Sequence, residues 1–116
     1  MQYAFLIYTS EENEPTPGSD EHNSMMQGYF GFTEEVKDKG IFGAGEPLES
    51  VSTATTVRVN DGKTVAMDGP FAETKEQLGG FYVLECKDLE EAIVYAAKIP
   101  GANYGCVEIR PIPKFE

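Results

Sequence analysis

This chain is most sharply limited by what it has little of. It has no tryptophan, a single histidine, His22, and two cysteines, Cys86 and Cys106. With one imidazole and scattered carboxylates, neither a nucleophilic triad nor a metal centre is readable, and no metal is expected. Two cysteines 20 residues apart form neither a disulfide framework nor a zinc pattern. Each lies in an apolar run and is expected to be a small buried hydrophobe. Basic residues are scarce as well, 9 Lys and Arg against 20 Asp and Glu, for a net charge of −11. That balance repels phosphate backbones and anionic lipid surfaces, so no nucleic-acid or membrane partner is expected. The acidic surplus reads as a solvated surface.

Long apolar runs are missing too. None approaches the ~20 residues that cross a bilayer. The opening "MQYAFLIYTS" has no basic residue ahead of its apolar part, so it reads as a first strand rather than a secretory leader. This places the protein in the cytoplasm. No glycine-rich phosphate loop is present, and no cofactor is expected.

What the chain does contain is enough for one domain, residues 1–116, with 41% apolar residues to build a core. "YAFLIY" (3–8) is continuously apolar, as in a strand covered on both faces. Thr9 to Asp20 is polar, broken by Pro15, Pro17 and Gly18, and reads as a loop. A helix is predicted from Ser19–His22, with Met25, Tyr29, Phe32 or Thr33, and Val36 at helical spacing and Gly40 as its stop. Gly28 and Gly31 lie inside it and are expected to permit close approach to the sheet or to a ligand. "IFGAGEPL" is a short, glycine-broken strand. "TTVRVNDGKTVAMDG" is a hairpin turning at Asp61-Gly62. "GGFYVLEC" is a further apolar strand. "KDLEEAIVYAAKIPG" is a helix with Asp88 and Glu91 as a capping box and Leu89, Ala92, Ile93, Ala96 and Ala97 on its buried stripe. "GCVEIRPI" is the last strand.

The order is βαββαβ with an inserted hairpin. It predicts an α+β, ferredoxin-like fold, an antiparallel sheet with both helices on one face. The other face then needs cover. A second copy would supply it, giving a homodimer whose two sheets close into a barrel with a pocket between them.

Candidate site residues cluster near turns. "MDGPFAETKEQLGGFY" (67–82) presents Asp68, Glu73 and Lys75 around the Gly69-Pro70 corner, with the Phe71 ring expected to anchor the loop. Asp68 either accepts backbone N–H bonds from that turn or projects into a cleft. Glu73 and Lys75 are either a solvated pair or groups aimed at a ligand. His22 is either an ordinary surface histidine or an acid–base group, imidazole being the side chain that titrates near neutrality. Glu46 lies in a second Gly/Pro corner, Tyr29 falls on the helix's core stripe, and Arg58 points to solvent or into a dimer cleft.

"DGPFAETKEQLGGFYVLE" (68–85) resembles the signature of the DGPF branch of the YCII-related family. "TATTVRVNDGKTVAMDGPF", "DLEEAI…AAKIPGA" and "GCVEIRPI" fit the same family, so the likeness covers nearly the whole chain. The resemblance implies a ferredoxin-like fold pairing as a dimeric α+β barrel. It implies a cleft with a helix-start His and a motif Asp as an acid–base pair, matched here by His22 in rough position and by Asp68. Some relatives are lyases for chlorinated hydroxyquinols, and some DGPF domains are linked to extracytoplasmic-function sigma factors. The functions it implies are a cofactor-free lyase or isomerase for a small molecule, with Lys75 or Arg58 stabilising negative charge, or a ligand-binding sensor without turnover.

Overall fold

The computed structural model describes residues 1–115. Its main sheet has four strands in the order β2-β5-β1-β6, all antiparallel: β2 (Phe42–Pro47), β5 (Gln77–Glu85), β1 (Gln2–Thr9) and β6 (Gly105–Pro111). Helices α1 (Asp20–Asp38) and α2 (Leu89–Lys98) pack on one face of it. The predicted α+β, ferredoxin-like architecture is therefore the observed one. The inserted hairpin, β3 (Thr55–Asn60) with β4 (Lys63–Asp68), forms a separate two-stranded sheet.

The core follows from the period-2 alternation of strands meeting the 3.6-residue period of helices. Tyr3, Phe5 and Ile7 of β1 and Tyr82 and Leu84 of β5 point to the helices and are buried. Phe32 and Val36 of α1 and Ala92, Tyr95 and Ala96 of α2 meet them. Fully burying a side chain such as Phe5 or Leu84 contributes about 1.5–3 kcal/mol each. The Phe32 ring packs edge-on against Tyr82 at 5.1 Å between centroids.

Local signals set the element ends. The Ser19 hydroxyl accepts the His22 backbone N–H at 3.1 Å, so α1 starts where its cap stands. Gly40, at φ 73°, ends it. Asp88 accepts the Glu91 N–H at 2.9 Å, and Glu91 reaches back to the Lys87 N–H. Asp61 and Gly62 both take positive φ, the backbone twist a two-residue hairpin requires.

Four readings of the sequence are corrected. Cys86 is buried, but Cys106 is exposed, because β6 turns it to the sheet face opposite the helices. Phe71 does not anchor its loop; it is 78% exposed. On α2 the buried row is Ala92, Tyr95 and Ala96, while Leu89, Ile93 and Ala97 are exposed. Two apolar rows compete there, and the one carrying the large Tyr95 ring faces inward. Lys39 and Lys98 lie over that ring at 5.4 and 5.5 Å. Last, the glycines of α1 differ. A Cβ on Gly28 would sit 3.0 Å from Pro100, whereas one on Gly31 would meet nothing within 4 Å. Gly28 thus allows close approach to the turn after α2, not to the sheet.

Candidate functional site

A cavity of about 720 Å³ opens between α1, the Thr9–Ser19 loop and the ends of β1, β2 and β5. It runs beneath α1 from His22 in the first turn to Thr33 and Lys37, beside Phe42 of β2. The cavity lies on the helix face of the sheet. The sequence reading located its hollow on the opposite face, between two sheets and at the Gly69-Pro70 corner; no residue of that corner lines this cavity.

Of the candidate residues, the fold brings His22, Tyr29 and Glu46 to this cavity. His22 is half-buried in the first turn of α1. Its Nδ1 is shielded from solvent and makes no hydrogen bond among the described residues. A buried polar atom left unpaired costs about 1–3 kcal/mol, so this one marks a place where a further partner would stabilise the protein. Tyr29 lies two turns along. Burial pushes its phenol up to about 12, with a backbone hydrogen bond at Gly101 opposing the shift. It is therefore a neutral hydrogen-bonding group, not a base. Glu46 is exposed at the rim.

The fold does not bring Asp68, Glu73, Lys75 or Arg58 to the cavity. All four are exposed, Arg58 on β3, Asp68 at the end of β4, and Glu73 and Lys75 in the connection to β5. The root of the β3–β4 hairpin is held by two hydrogen bonds. The Gly69 N–H donates to the Ala54 carbonyl at 2.7 Å, and the Thr56 hydroxyl donates to the Gly69 carbonyl at 2.8 Å.

Other cavity groups were not singled out from sequence. The Thr9 hydroxyl donates to the Glu14 carboxylate at 2.5 Å, tying the proline-rich loop to the end of β1. Thr33 and Tyr82 hydroxyls lie 2.9 Å apart across the helix–sheet gap. Met25, Met26, Phe30 and Phe42 supply apolar walls. Met25 and Thr33 carry a signal of helical spacing; Tyr82 hides in an apolar strand. The lining holds four carboxylates, Glu11, Glu14, Glu46 and Glu49, against one cation, Lys37. Its field therefore disfavours anions. Among the described residues, no group of three or more His, Cys, Asp or Glu side chains is arranged to hold a metal ion. No described helix is long and apolar enough to cross a membrane.

The comparisons with known proteins agree with this architecture. An uncharacterised protein of Rhizobium meliloti (strain 1021) is 36% identical over 118 residues, spanning 100% of this chain and 95% of its own length. Among solved structures, the 5-chloro-2-hydroxyhydroquinone dehydrochlorinase of Burkholderia phenoliruptrix AC1100, in complex with 2,5-dihydroxybenzoquinone, superimposes with a TM-score of 0.52. That match covers 97% of this chain and 94% of the other, at 14% identity, so it speaks to the fold alone. The model of the YCII-related domain matches residues 1–116, and the chain belongs to that family.

Proposed function

We propose that the cavity under α1 binds a small, uncharged, ring-sized hydroxylated molecule, and that His22 exchanges a proton with it in a lyase or isomerase reaction. The observation that carries this reading is the shielded, unpartnered Nδ1 of His22 beside a cavity of about 720 Å³. A cavity of that size suits a small metabolite. Apolar walls favour a ring, and the hydroxyls of Tyr29, Thr33 and Tyr82 offer hydrogen bonds to its substituents. The carboxylate excess selects against an anionic ligand. The neighbour solved with a dihydroxybenzoquinone holds a hydroxylated ring of similar size on this fold.

In this mechanism the unprotonated imidazole nitrogen accepts a proton from the ligand, and the imidazolium returns it at the next carbon or to a leaving group. Tyr29, held protonated by burial, donates a hydrogen bond to an oxygen that gains negative charge. Asp68, Glu73, Lys75 and Arg58 would join the site only from a second copy, and we include such a homodimer, a closed α+β barrel, in the proposal. A cytoplasmic setting is part of it too, and the free, exposed Cys106 thiol fits a reducing compartment.

A second reading is a sensor that binds without turnover. It is favoured by the absence, among the described residues, of a carboxylate bonded to His22 to orient its ring. One experiment separates the two. Hydroquinone and resorcinol, with benzoate as the anionic comparison, are screened by thermal shift against wild type, His22→Ala and Tyr29→Phe, and any ligand is recovered for mass and NMR spectra, which together distinguish isomers. Melting points that rise for the uncharged rings in wild type, and not in His22→Ala, support the site. A consumed ligand supports the enzyme, and an unaltered one the sensor. Equal shifts in wild type and His22→Ala remove His22 from the site.

A further inference from the structure

The β3–β4 arm is an exposed ribbon with little to hold it. Its register pairs Val57 with Ala66 and Val59 with Thr64, but Arg58 with Val65 and Thr56 with Met67. Residues directly opposite in an antiparallel pair share a face. Val57 and Val59 therefore project from one side of the ribbon, Val65 and Met67 from the other. Both sides are apolar and both are open: Val57, Val59 and Met67 are 58%, 67% and 62% exposed. A two-stranded ribbon of this kind is marginal in water by itself.

The protomer as a whole carries the same imbalance. A compact 12.7 kDa chain exposes about 6,200 Å². This one exposes 8070 Å². Its radius of gyration is 16.1 Å, against about 13 Å for a compact domain of its length. The excess, roughly 1,800 Å², lies in the range one partner contributes to an obligate dimer. Matching apolar surface, half-buried in the chain by itself, is present on the body. Ala4, Leu6 and Tyr8 of β1, with Phe81 and Val83 of β5, alternate with the core residues and so face away from the helices. Charge fits as well. Arg58 and Lys63 balance Asp61 and Asp68 within the two strands and their turn, so this part is neutral in a chain of net charge −11. Contact made through it is the least opposed by repulsion between two acidic copies.

We propose that the β3–β4 arm is a clasp that docks on the open sheet face of a second copy of this chain. The inference rests on the homodimer proposed above and names the element that holds it. The clasp is rigid at its root, where Gly69 bonds Ala54 and Thr56 bonds Gly69. Docking there sets Asp68, at the end of β4, and Glu73 and Lys75, in the connection to β5, near the seam between copies.

Sedimentation velocity at micromolar concentration on wild type and Val57→Asp/Val59→Asp tests it, with near-UV circular dichroism to confirm that the body stays folded. Neither valine belongs to the core, so that signal should persist. The expected result is a wild-type dimer and a folded monomeric variant, with a dissociation constant raised at least 100-fold. Amide exchange supplies the second readout. Arm amides should be protected in concentrated wild type and lose protection on dilution. A double variant that remains dimeric, with arm amides exchanging freely in wild type, overturns the clasp and leaves the dimer standing. A wild-type monomer overturns both.

Discussion

Gly101 sits where the site and the core meet, and a single methyl group there is a sharp probe of both. A Cβ at Gly101 would fall 2.5 Å from Ile7 Cγ2 and 2.7 Å from the Tyr29 hydroxyl. Carbon pairs prefer about 3.5–4.0 Å, so the overlap is near 1 Å at two points. Both obstacles are side-chain tips, which can give, and the cost is that of overpacking, about 1–3 kcal/mol. For a domain of this size each kcal/mol lowers the melting temperature by about 4 °C. Gly101→Ala should therefore melt about 4–12 °C below wild type by calorimetry. Tyr29→Phe removes the hydroxyl and with it one of the two overlaps. In that background the Gly101→Ala penalty should shrink, with a coupling of about 0.5 kcal/mol or more. Two further glycines bracket the result. At Gly105 the Cβ would lie 2.0 Å from the Tyr8 carbonyl oxygen, backbone of the paired strand that cannot step aside. Gly105→Ala should cost upwards of 4 kcal/mol. At exposed, helical Gly31 the Cβ meets nothing, and Gly31→Ala should stabilise by about 1 kcal/mol. A Gly101→Ala protein that melts with wild type, or whose penalty is unchanged by Tyr29→Phe, would refute the packing of Tyr29 against the turn after α2.

Four other outcomes are expected. Leu84→Ala, at a fully buried position between the helices and the sheet, should lower stability by about 2–5 kcal/mol in urea unfolding. Asp88→Ala removes the cap of α2 and should cost about 1 kcal/mol by the same assay. Glu35 is held below the usual carboxylate range by hydrogen bonds from Lys98 and Lys39. Its contribution is present above the unfolded value and is lost as pH falls through the lower folded value, so the stability gap between wild type and Glu35→Gln should close on acidification and in 1 M salt. Tyr29 shifts the other way, from 10.0 to about 12, so its contribution is whole below pH 10 and is lost as pH climbs toward the folded value. Ultraviolet titration should show one fewer late-ionising phenol in Tyr29→Phe.

The fold was largely legible because its signals are local and repeated. Caps at Ser19 and Asp88, the stop at Gly40 and the Asp61-Gly62 turn each fix an element end within a few residues. Alternation in β1 and helical spacing in α1 then leave one way to bury Phe5 against Phe32 and Val36. The arm was less legible. Val57, Val59, Val65 and Met67 read as one apolar set, but their faces depend on pairing register, which strand spacing alone does not reveal. Phe71 reads as an anchor because an aromatic ring beside a Gly-Pro turn usually finds cover. Here the ring has none. The site was half legible. His22, Tyr29 and Glu46 were picked out by residue type and place and line one cavity. Glu14 and Tyr82 were not, because a carboxylate in an acidic loop and a tyrosine in an apolar strand carry no mark of their own. Asp68, Glu73 and Lys75 belong to the most recognisable motif in the chain, yet all three are exposed and none lines the cavity.

Because the chain contains one histidine, its imidazole signals in a long-range ¹H–¹⁵N spectrum all belong to His22. Hydroquinone titrated into the labelled protein should move the Nδ1 resonance in a saturable way, as a partner reaches the shielded nitrogen. A resonance that stays fixed while the same additions raise the melting temperature would place the ligand elsewhere and contradict the cavity under α1 as the functional site.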